Sequence, residues 1–151
     1  MNKNYIPPTT KRVSYHTCNN VNKKIRDNTV CCINTYRNSD ETVLSDKIEK
    51  LNQEWDTERF LETNAASVVL LCSIIGYKKS KCGLFLLTGA VGFFLLQHAL
   101  QGWCPPLPVI RKMGVRTAEE INNEKTVFKK IRGDFSRDID DANSLLGMAE
   151  K

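Results

Sequence analysis

The sequence lacks the short motifs by which several enzyme classes are recognised. It has no glycine-rich phosphate-binding loop, no His-Glu-x-x-His metal motif and no Gly-x-Ser-x-Gly nucleophile elbow. It also lacks a convincing pattern of alternating apolar and polar residues, the pattern that is typical of strands. We therefore predict an all-α protein that is not an enzyme and that needs no cofactor.

The most informative absence is that of charge between residues 65 and 100. Within this stretch only Lys78, Lys79 and Lys81 carry a fixed charge, and His98 is ionisable. A soluble protein normally spreads its apolar residues over all of its amphipathic elements, so this concentration favours a membrane segment. The alternative is a buried helical hairpin in a small soluble bundle.

Cysteine is present, but the six cysteines do not form the compact framework of a disulfide-rich secreted domain. Because the first forty residues are polar, we expect no signal peptide, and we expect reduced thiols that serve mostly as small apolar side chains. Zinc-ligand residue types occur at His16, Cys18, Cys31 and Cys32. Their spacing does not match the common zinc motifs, so no metal site is predicted.

Two apolar stretches separated by a short lysine-rich turn predict a transmembrane hairpin over residues 60–103. Its helices cover about residues 60–77 and 82–103. The second is long enough for about 30 Å of hydrocarbon at roughly 1.5 Å per residue. The first apolar run, residues 65–77, would span only about 20 Å by itself, so the helix must also include residues 60–64.

The regions on either side of the hairpin have different patterns. Residues 1–14 are predicted to be an extended basic arm, and residues 15–59 a region of amphipathic helices. The latter includes a helical stripe of Leu44, Ile48, Leu51 and Trp55. No helix breaker separates this stripe from the hairpin, so one long helix is the expectation.

The region after the hairpin begins with a proline-rich loop. Residues 104–135 should hold this loop and a short amphipathic helix on the membrane surface, and residues 136–151 a flexible tail. Thr117 and Glu120 have the spacing of a capping box at the start of that helix, and Gly133 is expected to end it. Its apolar face is predicted from Ile121, Phe128, Ile131 and Phe135.

A hairpin also predicts where its polar residues meet. If the turn centres near Lys79 and Ser80, the start of the first helix lies beside the end of the second. Polar groups in lipid find partners on the neighbouring helix. The predicted interhelix polar cluster consists of Glu62, Asn64, Gln97, His98 and Gln101. Gly83, Gly89 and Gly92 are expected to let helix backbones approach closely.

Cys104 follows the second helix and has no obvious partner for a disulfide within the chain. It is the candidate reactive thiol, although a cysteine at a helix end is more often only a packing residue. The stretch "LLQHALQGWCPPLPVIRKMGVRTAEEI", followed by "FKKIRGDF", resembles the YgaP-like inner-membrane domain family of bacteria. The segments "HTCNNVNKKIRDNT" and "LNQEWDTERFLETNAA" resemble a longer subgroup with a helical region before the hairpin. No rhodanese loop is found, so the resemblance implies a two-helix membrane hairpin without sulfurtransferase activity.

These patterns favour a small, non-enzymatic component of the bacterial inner membrane. It is expected to lie in the lipid bilayer, to pack with itself or with a membrane partner, and to keep both termini in the cytoplasm. Two alternatives stay open. One is a thiol- or sulfur-handling accessory that uses Cys104. The other is a soluble helical module whose basic arm binds nucleic acid, although we expect no nucleic-acid partner.

Overall fold

The computed structural model describes residues 7–79 and 82–135. Within these ranges the chain is helical and contains no strand, so the all-α prediction is confirmed. The helices are α1 (Arg12–Tyr15), α2 (Asn19–Tyr36), α3 (Glu41–Gln53), α4 (Thr57–Lys79), α5 (Cys82–Gln101), α6 (Leu107–Lys112) and α7 (Ala118–Arg132). The predicted flexible tail, residues 136–151, lies outside the described residues.

Two compact units make up the fold. The first comprises residues 1–26 and 55–119, and the second comprises residues 27–54 and 120–151. The first unit contains the apolar hairpin of α4 and α5. Its core brings side chains from α1, α4 and α6 together with the segment after α5, and it consists of Val13, Leu61, Cys104, Leu107 and Ile110.

α4 begins separately from α3, which corrects the expectation of one long helix. The physical reason is the cap at Asp56, whose Oδ1 accepts a hydrogen bond of 2.8 Å from the backbone N–H of Arg59. The Thr57 N–H also donates to the Arg116 carbonyl, at 2.8 Å. With 23 residues, α4 is about 34 Å long, which is enough to cross the hydrocarbon of a bilayer.

The two hairpin helices pack against each other but leave most of their sides uncovered. Close to the turn, an added Cβ at Gly76 would lie 3.4 Å from the Leu84 Cβ, so α4 and α5 approach closely there. At Gly83, Gly89 and Gly92 an added Cβ would meet nothing within 4 Å. These three glycines therefore do not bring α4 and α5 together, which corrects the expectation for contacts within the hairpin.

α5 ends at Gln101, two residues earlier than predicted. Gly102 adopts φ +78° and donates its N–H to the His98 carbonyl at 2.7 Å, which closes the helix in the left-handed conformation. The following segment is not only a loop. α6 starts at Leu107 with Pro108 in its first turn, where a proline costs no hydrogen bond because the first N–H groups of a helix have no intrahelical partner.

The N-terminal arm is not extended throughout. Residues 12–15 form α1, because Val13 is buried in the core of the first unit and is 3% exposed. Thr17 reinforces this short helix by donating its hydroxyl to the Val13 carbonyl at 2.8 Å. This part of the predicted extended arm thus contributes to the packed fold.

The second unit is an ordinary amphipathic helical core. The α3 residues Leu44, Ile48 and Leu51 are buried, as the sequence stripe predicts, and they pack with Ile121 and Phe128 of α7. The ring of Phe128 is fully buried and meets the ring of Tyr36 edge-on, at 6.4 Å between centroids. Gly133, at φ +92°, follows the last residue of α7, as predicted.

Candidate thiol site at the open end of the hairpin

The open end of the hairpin is where α4 begins and α5 ends, and it holds a buried histidine. His98 lies in the last turn of α5 and is only 3% exposed. Its Nε2 lies 3.0 Å from Oε2 of Glu58, which is in the first turn of α4. A carboxylate at that position is favoured by the positive end of the α4 dipole. The contact therefore joins the first turn of α4 to the last turn of α5.

Arg12 completes the polar side of this site. Its Nη2 donates to Oε1 of Glu58 at 2.9 Å, so the carboxylate binds the imidazole with one oxygen and the guanidinium with the other. The backbone of Arg12 lies directly against Gly102. A Cβ at Gly102 would lie 2.6 Å from the Arg12 carbonyl carbon, so the helix end must carry a residue without a side chain.

Cys104 follows α5 in the chain, six residues after His98. The thiol is 3% exposed and lies close enough to His98 to interact with its ring. The Nδ1 of His98 is buried and has no hydrogen-bond partner. Glu58, His98 and Cys104 thus form a carboxylate–imidazole–thiol row. In this arrangement the carboxylate orients the ring and the ring can accept a proton from the thiol.

An apolar cavity of about 560 Å³ opens beside this row. Cys104 forms part of its wall, together with apolar side chains of α4, α5 and α6. Asn64 is a polar residue in the wall, but its Nδ2 already donates to the Phe60 carbonyl of its own helix at 2.7 Å. The cavity therefore offers an apolar surface with a thiol at one end.

The structure brings together only part of the polar cluster predicted from the sequence. His98 does contact α4, but at Glu58, one turn before Glu62. The side chains of Glu62 and Asn64 are exposed, whereas Gln97 and Gln101 are partly buried. The register assumed from the turn thus predicts the correct end of the hairpin for the contact of His98. It is wrong by one helical turn for the partner on α4.

Sequence reasoning missed Arg12, Glu58 and Gly102. Arg12 counts there only as one charge of the basic arm. The signal that was available is Asp56, because a capping aspartate places Glu58 in the first turn of a new helix. No local pattern connects Arg12 with Glu58, since the two residues are 46 positions apart.

A buried arginine also stabilises the segments around the site. Arg111 is 1% exposed, and its Nε donates to the Thr17 hydroxyl at 3.2 Å. Its Nη2 donates to Oδ1 of Asn22 at 3.0 Å, and Nη1 to the Val115 carbonyl at 2.9 Å. Arg111 therefore joins α6 to the start of α2, and its charge is not available at the membrane surface.

The five cysteines whose side chains the structure describes are free. Cys72 and Cys104 are buried and Cys32 is partly buried, but Cys18 and Cys31 are exposed, so the expectation of small apolar thiols holds for only some of them. Within residues 7–79 and 82–135, no group of three or more His, Cys, Asp or Glu side chains is arranged to hold a metal ion.

Two helices of the described chain are long and apolar enough to cross a membrane. The first lies within Glu41–Lys78 and the second is Gly83–Gln101. Only 6% of the most apolar window of the second helix is buried inside the chain, and 17% of that of the first. A core helix of a soluble protein would be mostly covered, so the exposed apolar sides and the buried polar end together indicate a membrane protein.

The comparison with protein families agrees with this class. Residues 56–120 match the family described as inner membrane protein YgaP-like, transmembrane domain. The matched part of the chain contains the hairpin, Glu58, His98 and Cys104. No curated protein matches the chain, and no solved structure matches it either.

Proposed function

We propose that the protein is a multi-pass component of the inner membrane, with a non-enzymatic role in interactions with other membrane components. The observation that carries this proposal is the uncovered apolar surface of α5, where Leu86 is 78% exposed, Phe93 64% and Leu96 59%. Lipid or another membrane helix covers such a surface without cost, whereas water does not.

Both termini are assigned to the cytoplasm. Two crossings return the chain to the side on which it started. The turn carries Lys78, Lys79 and Lys81, while the flanks carry more basic residues even without the buried Arg111: Lys47, Lys50, Arg59, Lys112 and Arg116. Basic residues near the ends of membrane helices favour the cytoplasmic side. The hairpin then tethers the second unit to the membrane.

Membrane extraction and reporter fusions test this proposal. The full-length protein should stay with membranes during washing at alkaline pH, and release into the supernatant would contradict the membrane assignment. Alkaline phosphatase fused after residue 151 should be inactive and a fluorescent protein there should be bright. The opposite result would overturn the assigned orientation.

The interaction role has its own experiment. Crosslinking in native membranes, from a photoreactive residue placed at Leu86, should give a defined adduct with a second copy or with one membrane protein. A matched residue at Val43 in α3 is the control. Lipid adducts alone at Leu86 would contradict the interaction role while leaving the membrane assignment intact.

A thiol-handling role for Cys104 is the second candidate function. The burial of His98 and Cys104 at the same end of the hairpin, with Nε2 of His98 bound to Glu58, favours it. An uncharged, membrane-permeant maleimide should label Cys104 faster than it labels a small free thiol in the same vesicles. Equal or slower labelling would count against this candidate.

A further inference from the structure

The cavity beside Cys104 has the lining of a site for one apolar chain. Its wall includes Leu61 and Val68 of α4 as well as Val91 and Phe94 of α5. From the end of α5 at Gln101 to Val91 is roughly 15 Å along the helix. The cavity therefore extends from the thiol at the open end towards the middle of the hairpin, parallel to the helices.

The position of the thiol at one end of this cavity indicates how an occupant is held. Cys104 is almost inaccessible to water, yet it lines the cavity wall. A small charged sulfur compound would find no polar partner there, because Asn64 is already bound to its own helix. A long hydrocarbon chain would instead bury apolar surface along its whole length, and each added CH₂ group would strengthen its binding.

His98 supplies the second, independent feature of the site. It is 3% exposed, its Nε2 is held by Glu58, and its buried Nδ1 has no hydrogen-bond partner. Packing alone does not require a buried imidazole whose free nitrogen is beside a thiol, because an unpartnered buried polar atom costs free energy. A base next to a thiol is the arrangement that prepares a nucleophile.

We propose that Cys104 is an acceptor for a fatty acyl group that is transferred from an acyl thioester, and that the acyl chain lies in the cavity. The Sγ attacks the thioester carbonyl carbon, and His98 accepts the thiol proton at Nδ1. A new carbon–sulfur bond to Cys104 forms as the bond to the donor sulfur breaks. The proton passes from His98 to the departing thiolate, so the donor leaves as a free thiol and no oxidation occurs.

This inference rests on the second candidate function, and its experiment uses the full-length protein in lipid nanodiscs. Palmitoyl-coenzyme A is the probe, and intact-mass spectrometry measures a hydroxylamine-sensitive gain of one palmitoyl group. Cys104→Ser should abolish the gain, whereas Cys72→Ser, which changes a buried thiol in the middle of α4, should preserve it. A gain that persists in Cys104→Ser would overturn the proposal.

Two further experiments test the cavity and the imidazole separately, one by the length of the acyl chain and one by substitution of His98. Palmitoyl transfer should be at least about tenfold faster than acetyl transfer, since each added CH₂ group contributes to binding. Val91→Trp, which fills the cavity, should slow palmitoyl transfer to about the rate of acetyl transfer in the same variant. Equal rates with both donors in the unchanged protein would overturn the role of the cavity.

His98→Gln should slow palmitoyl transfer by about 100-fold, the contribution typical of a positioned base. Glu58→Gln, which keeps a hydrogen-bonding side chain at the same place, should slow it less. Amide hydrogen exchange in α4 and α5 verifies that both variants fold. Unchanged transfer by folded His98→Gln would overturn the role of the imidazole. If maleimide labels Cys104 rapidly but palmitoyl-coenzyme A does not acylate it, the thiol-handling function stands and the acyl assignment fails.

Discussion

The two units of this chain place their apolar side chains in opposite ways. In the second unit the helices turn them inwards, and Leu44, Ile48 and Phe128 are almost completely buried. In the first unit α5 turns residues such as Leu86 and Phe93 outwards. Both units also bury charged or ionisable side chains: His98 and Arg111 in the first, and Glu124 and Lys129 in the second. Apolar side chains thus face inwards in the unit that water surrounds and outwards on the helix that lipid surrounds.

This comparison shows why hydropathy alone describes the chain poorly. α3 and α7 are stabilised by removal of apolar surface from water, so each residue of their stripe contributes to folding. α4 and α5 gain little from apolar contact with each other, because lipid is as apolar as their side chains. Their association is fixed instead by close approach at Gly76 and by the hydrogen-bonded end at Glu58 and His98.

The largest expected difference between the units is the effect of removing a phenyl ring. Phe128→Ala should destabilise the second unit by about 3–5 kcal/mol, because it opens a cavity in a closed core. Phe93→Ala, at an exposed position of α5, should change folding stability far less. Amide hydrogen exchange in nanodiscs measures both. A larger loss of protection with Phe93→Ala would contradict the comparison.

The second-largest expected difference between the units is the effect of placing a charge at an exposed apolar position. Phe93→Asp should cost about 3 kcal/mol in membrane insertion, as an acidic residue does near the centre of a membrane helix. Val43→Asp, at an exposed position in the first turn of α3, should leave insertion unchanged. An insertion assay with graded glycosylation reports both values. Normal insertion of Phe93→Asp would place α5 in water and would contradict the difference in solvent between the two units.

The next prediction tests the packing at the end of α5. Gly102→Ala should destabilise the first unit by about 2–3 kcal/mol, since it combines an unfavourable positive φ with a clash against Arg12. Gly114→Ala is the matched control, because Gly114 also has a positive φ, +91°, but an added Cβ there meets nothing within 4 Å. It should cost only about 1 kcal/mol. Thermal unfolding measures both, and equal losses would refute the close contact with Arg12.

The smallest expected effect concerns pH in the second unit. Burial, and next a hydrogen bond with Glu124, raise the pKa of Cys32 above its usual value of 9.0, while Lys47 opposes the shift. The folded state therefore favours the protonated thiol. Its contribution to stability is present below about pH 9 and falls as the pH rises through the raised pKa.

Alkylation followed by peptide mass spectrometry measures this shift. Cys32 in the folded protein should reach half-maximal reactivity at a higher pH than the same thiol in denaturant. Glu124→Gln removes the neighbouring carboxylate and should move the midpoint back towards lower pH. Identical midpoints in the folded and denatured chain would contradict the raised pKa.

Periodicity predicts the parts of the fold that repeat along one helix. It finds the buried stripe of Leu44, Ile48 and Leu51, but it wrongly extends that stripe to Trp55, which is 45% exposed. The reason is the helix break at Asp56, which leaves Trp55 against the guanidinium of Arg59, at 4.6 Å. Phe135 is likewise exposed because α7 ends before it.

The site needs information that no local pattern contains. Sequence reasoning selected His98 and Cys104 because they are unusual at the end of an apolar run. Their partners come from elsewhere, Glu58 from the other helix and Arg12 from the N-terminal arm. Contacts across such separations depend on the register of the hairpin and on the path of the chain outside it.

The docking of Arg12 against Gly102 also has a consequence for the order of biogenesis. The ribosome completes α1 about 90 residues before it reaches Gly102. At 5–20 residues per second this interval lasts roughly 5–20 s. During that time Val13 and Arg12 have no binding surface, because both hairpin helices must first be synthesised and paired. α1 therefore emerges long before the hairpin is complete, yet it is among the last elements of the first unit to reach its final position.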